Sequence, residues 1–445
     1  MFVAGSTRNA EHVVPMMNDA RQLPRLVVAA VGLDTKHNVT RGDSVTDLSF
    51  NQVLDACSAG GSSALTSVTE LVAAGGPHAA VAPARYVDSR GQAIFAYETR
   101  FIDDGPKLTV VIDQKQSQLN RVEAVIEQAI ADGHPLFGAV PRVEVTYRGD
   151  GGSYSDLSLP HRVFDGHIRA GSLDGQPVTA SAAYRAARDA SPGNARALLE
   201  FAPTALVFGG WDSTRRSRQG RYRSALVGEI VGVLSEQDRH APEPRRGGAR
   251  VDPVGMSVQL SGEDLLSLVN EQKSELSPKL IEKVEKAAKA RAAKGNSGSV
   301  LGLGGIPPAL ESLGAVSCSR IIRTHVLSFA ALRQLRFGAG VEGDAACRAL
   351  LAAYALAGLA RSDSELSLRA NCDLLESAPT QVRLDARHGQ FVELAPLSID
   401  AADAVFEEAL TTARRVADVN WSGQVFEVVG NPLVAGSAVA DAGEE

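Results

Sequence analysis

The stretch ARYVDSRGQAIFAYETRFIDDGPKLTVVIDQKQSQLNRVEAVIEQAIA occupies residues 84–131. Its first part has three apolar and β-branched runs separated by turn signals at residues 89–91 and 103–106. This pattern predicts a β-meander. From Gln116 to Ala131 the apolar residues recur at helical spacing, which predicts an amphipathic helix. The stretch therefore predicts strands and a helix as close neighbours in one fold.

The rest of the chain gives further expectations of the same kind. Expected strands lie at 24–33, 205–210 and 424–429, and expected helices at 62–74, 163–170, 180–190, 343–360 and 399–417. Residues 225–234 fit a strand or a helix equally well. Residues 235–250 are expected to form an exposed loop.

The segments between these elements indicate how the chain is organised into domains. Residues 262–294 carry Glu and Lys at helical spacing, so we expect a charged helix there. Residues 436–445 are small and acidic, which is typical of a disordered tail. We find no internal repeat and no Pro/Ser-rich linker, so a single elaborated domain over 1–445 is as compatible with the sequence as two domains.

Composition limits the class of protein. No run of about 18 apolar residues is present, so no membrane span is expected, and the N-terminal residues lack the pattern of a secretory signal. The four cysteines are widely spaced, without a CxxC pair, which favours a reducing cytoplasm. The formal net charge of −7 argues mildly against a nucleic-acid binder.

The basic residues are nevertheless concentrated. Only nine of the 45 Lys and Arg residues are Lys, and six of these lie between Lys273 and Lys294. After the expected strand at 205–210 comes a segment with five arginines in nine residues: Arg215, Arg216, Arg218, Arg221 and Arg223. A solvated loop is one interpretation. A loop that contacts phosphates, with Tyr222 offering a ring for base stacking, is the interpretation that we favour.

Signals for catalysis or metal binding are weak. There is no GxSxG or HExxH motif, and the nine histidines are scattered. The run Gly302–Gly305 is followed by Pro307 and Pro308, which does not fit a nucleotide-binding loop. Asp212 is a lone acidic candidate, whereas metal-dependent phosphodiester cleavage usually needs several carboxylates. We therefore predict no enzyme activity, no cofactor and no metal.

Several segments, in a common order, resemble one family. The chain resembles the backbone subunit of type I-G (formerly I-U) CRISPR Cascade complexes, the Cas-seven group of RAMP proteins. The matching segments are VAPARYV (81–87), VIDQKQSQLNRVE (111–123), LPHRVFDGHIR (159–169), FAPTALVFGGWDSTRRSRQGRYRSALVGEIVG (201–232), RVDPVG (250–255), GLGGIPP (302–308) and HVLSFAALRQLRF (325–337).

The resemblance implies an α+β fold with a modified RRM or ferredoxin-like core and large insertions, including a hairpin "thumb" and helical elements. It also implies that the expected charged helix belongs to an insertion at 262–298. It further implies a non-catalytic, CRISPR RNA-binding subunit that oligomerises along the guide RNA and supports its pairing with target DNA in antiviral defence. The implied partners are the CRISPR RNA, the target DNA strand, further copies of the chain, the large subunit, a fused end-cap and processing subunit, and a recruited helicase-nuclease.

Carried onto this sequence, the resemblance gives three sets of RNA-binding candidates. The first is the Arg215–Arg223 segment with Tyr222. The second is the start of the expected helix, with Gln116, Gln118, Asn120 and Arg121. The third is His161 with Arg162. The meander at 84–113 is a candidate thumb.

Two alternatives stay open. Related backbone subunits of type III systems cut target RNA with a loop Asp, and here Asp34, Asp43 or Asp212 would have to serve. The other alternative is a protein-interaction scaffold that binds no RNA, with a solvated arginine loop.

Overall fold

The computed structural model describes residues 45–215, 220–241, 243–255, 257–290 and 296–434. The expected strand at 24–33, the tail at 436–445, and the candidates Asp34, Asp43, Arg216 and Arg218 lie outside the described residues.

The helices and strands are numbered in chain order. The helices are α1 (Phe50–Cys57), α2 (Lys115–Ala131), α3 (Pro135–Gly138), α4 (Gly166–Ala170), α5 (Ala182–Arg188), α6 (Arg196–Phe201), α7 (Thr204–Val207), α8 (Gly262–Glu271), α9 (Pro278–Ala290), α10 (Phe329–Leu332), α11 (Gly340–Ser364) and α12 (Ile399–Ala417). The strands are β1 (Ala64–Ala73), β2 (Arg85–Val87), β3 (Ala93–Phe95), β4 (Tyr97–Ile102), β5 (Gly105–Asp113), β6 (Arg142–Thr146), β7 (Ser153–Ser155), β8 (Ser172–Leu173), β9 (Gln176–Pro177), β10 (Gly210–Trp211), β11 (Arg221–Tyr222), β12 (Leu226–Leu234), β13 (Arg245–Arg250), β14 (Gln259–Leu260), β15 (Asn296–Ser297), β16 (Ile306–Leu313), β17 (Cys318–Ser328), β18 (Leu374–Glu376), β19 (Gln381–Asp385), β20 (Phe391–Leu394) and β21 (Val425–Val429).

The largest sheet has eight strands in the order β20-β19-β1-β17-β12-β5-β4, and β18 also pairs with β1. The four central strands, β19-β1-β17-β12, are antiparallel to their neighbours. In chain order β1, α2, β12, β17, α11 and β19 follow a βαββαβ pattern, which is that of the ferredoxin-like motif, with other elements inserted between its members. The predicted α+β class is confirmed.

One face of this sheet is covered by helices. Leu65 of β1, Leu226 of β12 and Leu327 of β17 belong to the main hydrophobic core together with residues of α2, α11 and α12. By length and composition α11 is apolar enough to cross a membrane, but its apolar window is fully buried inside the fold. Its position makes it a core helix here.

The expected helix at 62–74 is wrong, because β1 occupies this segment. Its odd-numbered residues from Leu65 to Ala73 are buried, and the residues between them are half-buried. A period of two in burial is typical of a strand. The apolar pattern of the sequence does not show this period, because the polar residues Ser67 and Thr69 occupy two of the buried positions. The segment 225–234, which fitted either structure, is the strand β12.

Three other expectations also need correction. The expected strand at 205–210 is instead the one-turn helix α7 followed by the short strand β10, and a short, fully buried apolar run does not distinguish the two. The expected loop at 235–250 contains the exposed strand β13. The charged helix at 262–294 is two helices, α8 and α9, and α9 begins at Pro278, where proline is tolerated.

The helix-covered face of the sheet also carries a connected group of polar side chains. We call Asp113, Gln118, Arg323, His325 and Asp363 the polar belt. The Gln118 amide donates to Asp113 over 2.6 Å, and its oxygen lies 3.1 Å from Nε2 of His325. Oδ1 of Asp363 lies 3.4 Å from Arg323 Nη1 and 3.7 Å from His325 Nδ1. Burial, together with the nearby charge of Arg323, lowers the pKa of His325 to about 3, so this imidazole is neutral.

Candidate nucleic-acid interface

Three segments that are far apart in sequence line one open groove of about 800 Å³. The groove lies between the first turns of α2, the turn at 157–162 and the hairpin formed by β10 and β11. Six of its lining side chains are polar or aromatic groups of these three segments: Gln116, Asn120, His161, Arg162, Trp211 and Tyr222. Five of these are candidates from the sequence, and Trp211 is the addition.

Helix α2 divides its polar residues between two sides. Gln116 and Asn120 are one helical turn apart, exposed, and line the groove. Gln118 is buried in the polar belt. Arg121 donates to Asp113 over 3.2 Å and to the backbone carbonyls of residues 367 and 368. The structure thus brings two of the four candidates in this segment to the groove and places the other two in structural contacts.

Arg162 lines the groove, and its guanidinium group is hydrogen-bonded within the fold. Its Nη2 donates to Glu123 over 2.7 Å, and its Nη1 donates to the Gly209 carbonyl over 3.0 Å. Burial raises the pKa of Glu123 to about 7, against the opposing effect of Arg162. The pair ties α2 to the start of the hairpin. His161 beside it is exposed at the groove.

The basic segment forms a hairpin, in which Gly210 pairs with Tyr222 and Trp211 with Arg221. The Asp212 amide donates to the Gly220 carbonyl over 3.0 Å and closes the loop between the strands. Glycine is required at the approach to this hairpin. Gly209 has φ +91°, and a Cβ on Gly210 would come within 2.8 Å of the Phe164 ring.

Asp212 is buried and bonded to residues on both sides of it in the chain, Arg188 and Thr214. It accepts hydrogen bonds from Arg188 Nε over 2.6 Å and from the Thr214 hydroxyl over 2.8 Å. Burial would raise the pKa of Asp212, but the hydrogen bonds from Arg188 and Thr214 outweigh it and hold the pKa below its usual value. Both carboxylate oxygens are therefore occupied by structural donors.

The described arginines of the segment differ in their surroundings. Arg215 is paired with Asp189 over 2.6 Å and donates to the Arg188 carbonyl over 3.1 Å. Arg221 and Arg223 are exposed, and no carboxylate within the described ranges forms a salt bridge with either. The Arg221 guanidinium lies over the Trp211 ring, 5.0 Å from its centroid.

The expectation that Tyr222 offers an open ring for base stacking is wrong. Tyr222 is buried and stacks on Phe164, with ring centroids 6.1 Å apart and planes 5° from parallel. Its ring is therefore part of the core. Trp211 is 50% exposed and offers the open ring instead. The pairing of β10 with β11 explains the difference, because alternate strand residues face opposite sides and Trp211 pairs with the exposed Arg221.

Among the residues that the structure describes, no three His, Cys, Asp or Glu side chains are grouped so as to hold a metal ion. The groove itself combines amides, an exposed indole and a histidine, with two exposed arginines on the same hairpin. Chemically, this set is suited to hydrogen bonding and stacking with a polyanionic, aromatic ligand.

Residues 65–236 match the model of a family described as CRISPR-associated protein GSU0053 (Cas_GSU0053). The match indicates a CRISPR-associated protein. It begins in β1 and ends just after β12, so every residue of the groove and the hairpin lies within the matched range. A role in CRISPR defence, in contact with the CRISPR machinery, agrees with this match. No curated protein matches the chain.

Proposed function

We propose that this protein is a backbone subunit of a type I-G CRISPR Cascade complex, which binds the guide RNA along its groove and hairpin. One observation carries the proposal. Three separate segments, each selected from the sequence as RNA-binding, line a single groove, and this groove lies within the part of the chain that matches a CRISPR-associated family. A concave site with several convergent polar groups is the default candidate for ligand binding in a structure of unassigned function.

The proposed contacts follow from exposure. Arg221 and Arg223 contact guide phosphates, because their guanidinium groups are exposed and bidentate donors. Gln116, Asn120 and His161 contact the strand from the groove side. Arg216 and Arg218 stay candidates from the sequence. Arg215, Arg162, Gln118 and Arg121 instead hold the surrounding structure, since each is already bonded within the fold.

The chain has no catalytic role in this proposal. Cleavage of a phosphodiester by a loop Asp requires a carboxylate that is open to a metal ion. Asp212 is buried, and its two oxygens accept hydrogen bonds from Arg188 and Thr214. Cutting of the target is then the task of a recruited helicase-nuclease. The target DNA strand, further copies of the chain and the other Cascade subunits complete the proposed partners.

A hairpin that interrupts the guide–target duplex is best supplied by the ribbon of β13 and β16. All six residues of β13 are exposed, and Ile306 and Leu310 of β16 are 60% and 72% exposed. Arg246 and Arg250 add positive charge. The meander at 84–113 is a weaker candidate, because β4 and β5 belong to the largest sheet.

The test is a titration of the full chain with single-stranded RNA. The variant R221E/R223E reverses two exposed charges, and R148E/R239E is a matched control with the same change in net charge at two other exposed arginines. We expect the first variant to lose about tenfold or more in affinity. Its slope of log affinity against log salt should fall by about 1.4, since each phosphate contact on a single strand contributes about 0.7.

The control should bind like the wild type and show the wild-type salt slope. Equal affinity and equal slope for both variants would contradict the hairpin assignment. Failure of the wild type to bind RNA at low salt would contradict the proposed function itself.

A further inference from the structure

The lining of the groove is unsuited to a phosphate. Its charged side chains within the described residues are Arg162 and Glu127. Arg162 is committed to Glu123 and to the Gly209 carbonyl, and Glu127 accepts a hydrogen bond from Ser155. A phosphate inside the groove would therefore meet no uncommitted cation there, and it would lie near the carboxylate of Glu127. The uncommitted positive charge lies on the hairpin, at Arg221 and Arg223.

The groove does offer an aromatic surface. Trp211 lines it and is 50% exposed, which is uncommon for so large an apolar ring. The Arg221 guanidinium covers one face of the indole. Half of the side chain stays open to a planar ligand, and a nucleobase presents a π-face to such a ring whatever its identity. Held by Arg221, the ring is also pre-oriented for stacking.

The groove also offers amide groups that recognise the edges of planar ligands. Gln116 and Asn120 lie on the same side of α2 and line the groove. In the part of the chain that the structure describes, neither side-chain amide has a hydrogen-bond partner. Each amide carries both a donor and an acceptor, so it pairs with the edge of any base by rotating its plane.

We propose that the groove receives one unpaired nucleobase of the bound strand, stacked on Trp211 and hydrogen-bonded by Gln116 and Asn120, while the phosphates of that strand run outside it past Arg221 and Arg223. This inference rests on the proposed RNA-binding function and adds the class of group that the groove takes. It divides the site into a base pocket, which depends on Trp211, and a phosphate track, which depends on the hairpin arginines.

Tryptophan fluorescence provides a direct readout, because the chain has two tryptophans. Trp421 is fully buried and donates to the Leu199 carbonyl over 3.0 Å, so its emission reports the folded core. Trp211 is the exposed one. We expect single-stranded RNA to quench part of the wild-type emission, and we expect the variant W211F to lose the quenching while it keeps the Trp421 emission and most of the affinity.

The second readout compares the affinities of the wild type and W211A for two probes of equal length and charge. One probe is an ordinary single-stranded RNA, and the other is the same strand made abasic throughout. W211A should weaken binding of the ordinary strand by about 5- to 150-fold. It should change binding of the abasic strand by less than twofold, and the salt slope on either strand should stay at the wild-type value.

The outcomes separate the two proposals. Equal loss on both strands, or RNA binding without any Trp211-dependent quenching, would overturn the base pocket and leave the RNA-binding function standing. An absence of RNA binding by the wild-type chain, together with Trp211 quenching by an added protein or peptide, would overturn both proposals and indicate a protein ligand.

Discussion

Two polar regions include residues of the same helix, α2, and they differ in burial and in hydrogen bonding. The polar belt is buried beneath the sheet, and its carboxylate Asp113 accepts hydrogen bonds from Ser117, Gln118 and Arg121. The groove is open, and its amides at Gln116 and Asn120 lack partners in the described ranges. On α2, Gln118 of the belt is two positions from Gln116 and two positions from Asn120 of the groove.

The difference follows from the position of each residue around the helix axis. Residues three or four apart share a face, so Gln118 and Arg121 turn toward the sheet while Gln116 and Asn120 turn away from it. A buried polar group must be paired to be tolerated, whereas an exposed one is free to pair with a ligand. The belt is therefore expected to determine stability, and the groove is expected to determine binding.

Removal of the central carboxylate of the belt should have the largest effect. D113A leaves the buried donors of Gln118 and the guanidinium groups of Arg121 and Arg369 without their acceptor. We expect the free energy of unfolding to fall by about 3–5 kcal/mol, the cost of breaking a buried ion pair. Urea denaturation measures this, with the exposed E408A as the control. RNA affinity per folded molecule should stay at the wild-type value, and a stable D113A would contradict the structural role of the belt.

The pair of Arg162 and Glu123 lies between the two regions and should give an intermediate effect. R162M leaves Glu123 buried without its cation, so the pKa of this carboxyl should rise above the value of about 7 that it has beside Arg162. A raised carboxyl pKa favours the folded state at low pH, and this contribution is lost as the pH rises through the folded-state pKa. We expect R162M to be less stable than the wild type by about 2 kcal/mol at pH 8 and by clearly less at pH 6.

Thermal or urea unfolding at the two pH values measures this difference. The double variant R162M/E123Q, which carries no buried charge at these positions, should lose the extra pH dependence. A deficit that is the same at pH 6 and pH 8 would show that Glu123 does not titrate in this range.

The smallest effect on stability is expected in the groove. N120A removes an exposed amide and should change the free energy of unfolding by less than about 0.5 kcal/mol. RNA affinity should fall about two- to tenfold, the value of one lost hydrogen bond. Its counterpart Q118A should do the opposite, with lower stability and wild-type affinity of the folded protein. If the two variants behave alike, the division of α2 between belt and groove is wrong.

The sequence predicted regular elements well where their pattern was strong. The helices α2 and α12 follow the expected segments closely, since their apolar residues recur at one clear period. The expected meander at 84–113 does form strands, but its pairing is different, because β2 pairs with β3 in a sheet of two strands and β4 pairs with β5 in the largest sheet. In β1 the polar residues Ser67 and Thr69 are buried on the helix-covered face of the sheet. No pattern of apolar residues alone predicts such a strand, because its polar residues are paired only in the folded protein.

The same limit applies to the site. Charge density selected the hairpin as a candidate, but it did not separate Arg215, which has Asp189 as a partner, from Arg221, which forms no salt bridge in the described ranges. That distinction depends on α5, about 30 positions earlier in the chain. Trp211 was overlooked because Tyr222 stands among the arginines, and only the pairing of β10 with β11 shows which ring is exposed.

The most direct test of the account is photo-crosslinking of the purified full chain to a bound single-stranded RNA, followed by mass spectrometry of the crosslinked peptides. We expect crosslinks at Trp211 and on the peptides that carry Arg221 and Asn120, with loss of the Trp211 crosslink and retention of RNA in W211F. Crosslinks confined to other surfaces, such as α8, α9 or the helix α12, with none on the hairpin or on α2, would contradict it.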